Sequence, residues 1–219
     1  MNTGRLMEEK HLFDGLYDPK PLLIVISGTS GVGKDAVLCG LKQRKLRLHF
    51  VVTATSRPPR ANEVEGVDYF FFTREEFERR IANGEFIEAT MVYSDWKGIP
   101  RWQIDDALKS GKDVALRVDV QGAMKLRKMY PEAVLIFLIP ESVDEWYNRL
   151  RNRRTDGPDE LKVRLEAAHR EVAQIGEFDY VVLNARDLLE QAVDDIIKII
   201  NSEHHKVHHR KALNDSTPE

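Results

Sequence analysis

The chain has 219 residues, 42% of them apolar and 32% charged, which suits one soluble domain with its own core and excludes fibrous or disordered classes. A net charge of -3 gives no general nucleic-acid surface, and a single cysteine, Cys39, excludes a disulfide framework. No apolar run reaches the ~20 residues of a membrane span and the start lacks an apolar signal core, so a cytoplasmic enzyme with no nucleic-acid or membrane partner is expected.

Residues 1–19 read as a polar lead-in, and Pro21 to Ser27 as a buried parallel strand. A helix is predicted over Lys34 to Arg44, with Cys39 as a buried structural thiol. Leu48 to Thr55 reads as one strand, and the proline- and glycine-rich stretch after it as a loop. Tyr69 to Phe72 is a further strand candidate. Thr73 caps the next helix, which stops at Asn83-Gly84. Asp113 to Asp119 and Ala133 to Ile139 are buried strands. Ser142 to Arg153 is an arginine-rich helix, followed by a break at T-D-G-P-D and a helix over Glu160 to Ile175. Tyr180 to Leu183 is a last buried strand, Asp187 to Ile200 a closing helix, and the histidine-rich tail from residue 203 a solvated end. Strands alternating with helices predict an α/β fold with a parallel sheet covered on both faces.

Between the first strand and helix lies G-T-S-G-V-G-K-D, Gly28 to Asp35. It has the form G-x-x-x-x-G-K-[ST] of a phosphate-binding loop, except at its last position. The glycines let backbone N–H groups surround phosphate oxygens, the helix presents its positive end, and Lys34 adds a full charge. Asp35 replaces the usual hydroxyl. A carboxylate there can serve magnesium directly or through water, but it also repels phosphate.

Further along come T-S-R-P-P-R…G-V-D-Y, G-E-F-I-E, V-D-V-Q-G-A, R-L-R-N-R-R-T-D and F-D-Y-V-V-L-N. With the loop, in this order and spacing, they resemble guanylate kinases over about residues 21–201. The resemblance implies a P-loop nucleoside monophosphate kinase fold over 20–202: a core (20–51, 111–141, 169–202), an inserted GMP-binding lobe (52–110) and an arginine-rich lid (142–168). It implies Mg-dependent transfer of the γ-phosphoryl group of ATP to GMP, and to dGMP, giving ADP and GDP for purine nucleotide metabolism. ATP would be held by Gly28, Thr29, Ser30, Gly31, Val32, Gly33, Lys34 and Asp35, with Arg149, Arg153 and Asn184. GMP would be held by Thr53, Arg57, Arg60, Tyr69, Glu88, Lys97 and Asp119. Lys34, Arg57, Arg153 and Arg164 would act on the transferring group, and Asp35 and Asp119 would serve Mg2+ through water. The partners expected are these small molecules, in a monomer or homodimer.

The residue chemistry fits this reading. Two guanidinium forks, Arg57 and Arg60, grip a phosphate bidentately as lysines cannot. A carboxylate at Glu88 accepts from the adjacent N1 and N2 donors of guanine, a pair that adenine does not offer. Three further positions depart from the commoner family form: Lys97 replaces a tyrosine, Ile99 a base-reading hydroxyl, and Arg117 an acid. Plastid-type plant members resemble this chain in these features. Asp35 and Arg117 change charge in opposite senses, so Arg117 is expected near Asp35 or the metal. Two alternatives carry weight at this stage: a guanylate-kinase-like interaction module without chemistry, and a kinase of this fold with a broader base preference. The presence of Lys34 speaks against the first and Glu88 against the second.

Overall fold

The computed structural model describes residues 18–92, 94–151 and 158–207, with only the backbone for 158–163. Strand β1 (Leu23–Gly28) is buried along its whole length. Alternate side chains feed two cores, as the period of a strand requires. Ile24 and Ile26 join Val37, Leu41, Val193 and Ile196 on one face. Leu23 and Val25 join Ile104, Ala107, Ala123, Leu126 and Leu135 on the other. These partners come from helices α1 (Lys34–Gln43), α3 (Arg101–Lys109), α4 (Val120–Met129) and α7 (Leu189–His204) and from strand β8 (Val134–Ile139). With β2 (Leu48–Phe50), β7 (Asp113–Arg117) and β9 (Tyr180–Leu183), a parallel five-stranded sheet forms in the order β2-β7-β1-β8-β9. A parallel sheet buried on both faces is the expected α/β architecture.

A second sheet, order β4-β3-β6-β5, is built from β3 (Ala54–Thr55), β4 (Phe70–Phe71), β5 (Phe86–Val92) and β6 (Asp95–Pro100), with helix α2 (Arg74–Ala82) against it. Phe77 of α2 is fully buried and stacks on Phe86 and Trp96. Helix α3 follows β6 directly but packs Ile104 and Ala107 into the core of the first sheet. Helices α5 (Val143–Arg151) and α6 (Pro158–Val172) share a small cluster of Trp146, Leu150 and Ala168.

Several expectations are corrected. Leu48 to Thr55 is not one strand: it divides into β2 and β3, which belong to different sheets. Buried Gln103 causes the division by bonding both backbone groups of Val52, its Oε1 accepting from the N–H at 3.0 Å and its Nε2 donating to the carbonyl. The helix expected to reach Ile175 ends at Val172, before a short 3-10 turn at Ile175–Glu177. Cys39 is exposed, because Val37, Gly40 and Leu41 form the buried face of α1. Strands β5 and β6 and helices α3 and α4 had no counterpart in the sequence reading. The closing helix runs on to His204, whose ring pairs with Asp113 at 2.8 Å. His208 and His209 of the tail lie outside the described residues.

Candidate active site

The phosphate loop runs from the end of β1 to the start of α1, at the carboxyl edge of the parallel sheet, where doubly wound folds bind ligands. Gly28 (φ 138°) and Gly33 (φ 98°) take left-handed conformations. A Cβ on Gly28 would meet the Leu138 carbonyl at 2.5 Å, and one on Gly33 would overlap the Asn184 amide nitrogen. The Nζ of Lys34 donates to the Gly28 and Thr29 carbonyls at 2.6 and 3.1 Å. Burial lowers the pKa of this amine, while the carboxylates of Glu171, Asp119 and Asp35 oppose that shift.

Neighbouring elements hold the loop from outside. Trp146 Nε1 donates to the Ser30 carbonyl at 2.7 Å, and Arg164 donates to Ser30 Oγ at 2.9 Å. The Val32 carbonyl accepts from Arg149 at 3.1 Å and from Asn184 Nδ2 at 2.7 Å. Arg149 also donates to the Asn184 carbonyl at 2.8 Å and pairs with Glu145. Arg149, Arg164 and Asn184 are therefore all brought to Gly28–Gly33. Arg153 lies outside the described residues.

Asp35 forms an ion pair with Arg117 Nε. The juxtaposition expected from charge balance alone is present. Asp119 begins helix α4 as its N-cap, Oδ1 accepting from the Gly122 N–H at 2.7 Å. Its charge acts on Lys34 and also on Glu88. Among the described residues no group of three or more His, Cys, Asp or Glu could hold a metal ion by itself. A magnesium site in which one or two carboxylates act together with substrate phosphates and water needs no such group, and the charges of Asp35 and Asp119 both act on Lys34.

On the second sheet, the Arg57 guanidinium lies 5.1 Å from the Tyr69 ring centre, and Lys97 Nζ lies 6.0 Å from the same ring. Three of the residues expected at the GMP phosphate thus converge. Arg57 makes two bonds to Glu63, at 2.6 and 2.5 Å. Glu63 also accepts the Arg60 backbone N–H at 2.8 Å. The Arg57 bond, then the Arg60 bond, hold the Glu63 carboxyl down at about 2. Glu88 lies on β5 opposite Ile99 of β6. Burial, then Asp119, raises its pKa, and Lys125, at 3.9 Å, acts in the other direction. Thr53, Tyr69, Ile99 and Arg117 line a cavity of about 260 Å3 together with Asp35.

Four contributors were missed in the sequence. Glu63 holds Arg57, Trp146 holds Ser30, and Gln103 fixes the chain beside Thr53. Glu171 approaches Lys34 from α6. The first three sit in no motif that chemistry would single out. The spacing of Glu171 from Arg164, seven residues or about two helical turns, was a signal that could have placed both on one helix face.

The family profile described as guanylate kinase matches residues 20–203. The chain is 48% identical over 193 residues to guanylate kinase 2, chloroplastic/mitochondrial, of Oryza sativa subsp. japonica, covering 88% of this chain and 68% of that one. It is 39% identical over 184 residues to a guanylate kinase of Carboxydothermus hydrogenoformans, covering 84% and 89%. A crystal structure of guanylate kinase from Anaplasma phagocytophilum superposes with a TM-score of 0.68 at 30% identity, covering 90% of this chain and 94% of that one.

Proposed function

The chain belongs to the guanylate kinase family and is a nucleoside monophosphate kinase that phosphorylates GMP from ATP; from that premise we propose which of its residues do the work. Gly28 to Lys34 bind the ATP phosphates, with Lys34 turning from the loop carbonyls to the transferring group. Arg57, Tyr69 and Lys97 hold the GMP phosphate, and Arg60 closes on it from the same loop. Thr53 and Glu88 read the guanine. The observation that carries this assignment is the place of Asp119 at the start of α4, where a Cβ on Gly122 would lie 3.4 Å from its Oδ1 and 2.8 Å from Glu88 Oε2, while its charge also acts on Lys34. On this reading the two nucleotide sites meet at Asp119.

A nucleoside monophosphate is largely dianionic at neutral pH, with a second pKa near ~6, so its oxygen attacks without a general base. The protein's part is positioning and charge neutralisation. Lys34 and the lid arginines meet charge on the ATP side, and Arg57 and Lys97 meet it on the GMP side. Magnesium, held through water by Asp35 and Asp119, would supply further neutralisation of the ATP phosphates. Glu88 accepts from the guanine N1–H and N2 amino group only as a carboxylate. A base that leaves it unpaired forfeits ~1–3 kcal/mol.

Replacing Lys34 by alanine tests the assignment. With GMP and MgATP saturating, kcat should fall at least ~100-fold while the thermal midpoint stays near wild type. A loss under ~10-fold would remove Lys34 from the transferring group.

A further inference from the structure

The chain crosses between the two sheets twice, from β2 to β3 and from β6 to α3. On the first crossing the Val51 N–H still donates to the Ala115 carbonyl of β7, at 3.1 Å, and the Thr53 carbonyl already accepts from Phe70 of β4, at 3.0 Å. Val52 is the residue between the two ladders. On the second crossing the Arg101 N–H still donates to the carbonyl of Glu85, just before β5, at 2.9 Å, and Ile104 is already buried in the core of the first sheet. Gln103 lies between them. It is 4% exposed and takes both backbone groups of Val52: Oε1 accepts from the N–H at 3.0 Å, and Nε2 donates to the carbonyl. One side chain thus ties the two crossings together at the level where each changes sheet.

Apolar contact also joins the sheets, since Ile87 and Ile99 share a cluster with Val118 and Ile104. Such contact is non-directional and sets an angle only loosely. Two hydrogen bonds from one planar amide set it closely, and breaking them leaves buried polar groups unpaired. The clamped residue is followed by Thr53, whose carbonyl in turn holds Phe70, next to Tyr69. We propose that Gln103 is a positioning residue for GMP: its clamp on Val52 sets the angle at which the second sheet presents Thr53, Tyr69 and Glu88 to the phosphate loop. Gln103 touches no substrate and acts through Val52. Without the clamp the second sheet samples other angles, and GMP affinity falls with the fraction of molecules in the competent one. ATP, held by the loop of the first sheet, is indifferent to that angle. The inference rests on the proposed assignment of GMP to the second sheet.

The test is calorimetric titration of the full chain with GMP and, separately, with MgATP, followed by GMP-dependent ADP release. Gln103→Met keeps the length of the side chain and loses both hydrogen bonds. Gln103→Glu keeps an acceptor for the Val52 N–H and, as a carboxylate, loses the donor to the carbonyl. Each should bind GMP at least ~5-fold more weakly than wild type, with MgATP affinity within ~2-fold. Saturating GMP selects the competent angle, so KM for GMP should rise while kcat stays within ~3-fold of wild type. GMP affinity unchanged in a folded variant would overturn the proposal. So would equal weakening of both nucleotides, a kcat that falls as far as KM rises, or loss of fold in both variants, which would make Gln103 a purely structural residue. The wild type separates this inference from the one beneath it. Wild-type protein that binds GMP, beside a variant that binds it equally well, sinks the role of Gln103 alone; wild-type protein that binds no GMP sinks the site assignment and this inference with it.

Discussion

Asp35 adds a negative charge at the mouth of a loop whose ligand is polyanionic, and Arg117, reaching over from the end of β7, cancels it. Both side chains are well exposed, 69% for Asp35 and 48% for Arg117, so water screens the pair and its worth is ~0.2–1 kcal/mol. Asp35→Ala and Arg117→Ala should each change the KM for MgATP, and the double variant should depart from the product of the two effects by up to ~5-fold. Strictly multiplicative effects would dissolve the joint explanation. Glu63 plays a comparable part for Arg57. Its carboxyl is depressed from 4.5 to about 2 by that guanidinium, so the stabilisation is complete above 4.5 and is lost as pH falls through that window toward 2. In thermal melts across that range, the wild type should lose more stability than Glu63→Gln. Parallel curves would mean that the pair contributes nothing to the lobe. Asp35, Arg117 and Arg57 all stood out in the sequence because an atypical or clustered charge needs a partner. Glu63 did not, since one acid in a charged loop looks like solvated surface.

Helix α4 shows how an element can serve a site through a residue that carries no chemistry. Asp119 caps it, and one turn in, Gly122 passes so close to β5 that a Cβ there would lie 2.8 Å from Glu88 Oε2 and 2.9 Å from Val118 Cβ. The glycine lets the Glu88 carboxylate sit against the helix start. Gly122→Ala should therefore raise the KM for GMP, by ~10-fold for an overpacking cost of 1–3 kcal/mol, with a much smaller change for MgATP. Equal changes for both substrates would point to general damage to α4. The elements that the sequence made legible were those with strong local signals. These were the unbroken apolar run of β1, the Thr73 cap, which accepts the Glu76 N–H at 3.2 Å, and the Gly84 stop at φ 69°. Strands β5 and β6 were not legible because F-I-E-A-T-M-V and D-W-K-G-I-P lack clean alternation; their pairing, with a register shift between Phe86 and Glu88, supplies what the local pattern does not. The break between β2 and β3 was hidden for the same reason. It depends on Gln103, some fifty residues away in sequence.

At the scale of the molecule, the proposed assignment divides the two substrates between two sheets. The five-stranded sheet offers the phosphate loop, Asp119 and Asn184 from strand ends on one edge, and the four-stranded sheet offers Glu88, Lys97 and the loop of Arg57. A site assembled from two sheets can close on its ligands and keep water from the phosphoryl group. Ile99, buried at 8% exposure opposite Glu88, gives the cavity beside Thr53 an apolar wall where the commoner family form has a hydroxyl. Under the proposed assignment, one lost hydrogen bond of ~0.5–1.5 kcal/mol would weaken guanine selection without abolishing it, because Glu88 is retained on the strand paired with Ile99. The resemblance in the sequence already pointed to the nucleotide that each sheet would bind. It did not reveal Glu63, the carboxylate bonded to Arg57, since that contact depends on how the loop folds back. The most direct test of the whole account is a coupled ADP-release assay with MgATP, comparing GMP, dGMP, IMP, AMP and UMP. A kcat/KM for GMP at least ~10-fold above that for IMP, with dGMP accepted and AMP and UMP near background, is the predicted result. Comparable rates on several bases, or no turnover on any, would contradict it.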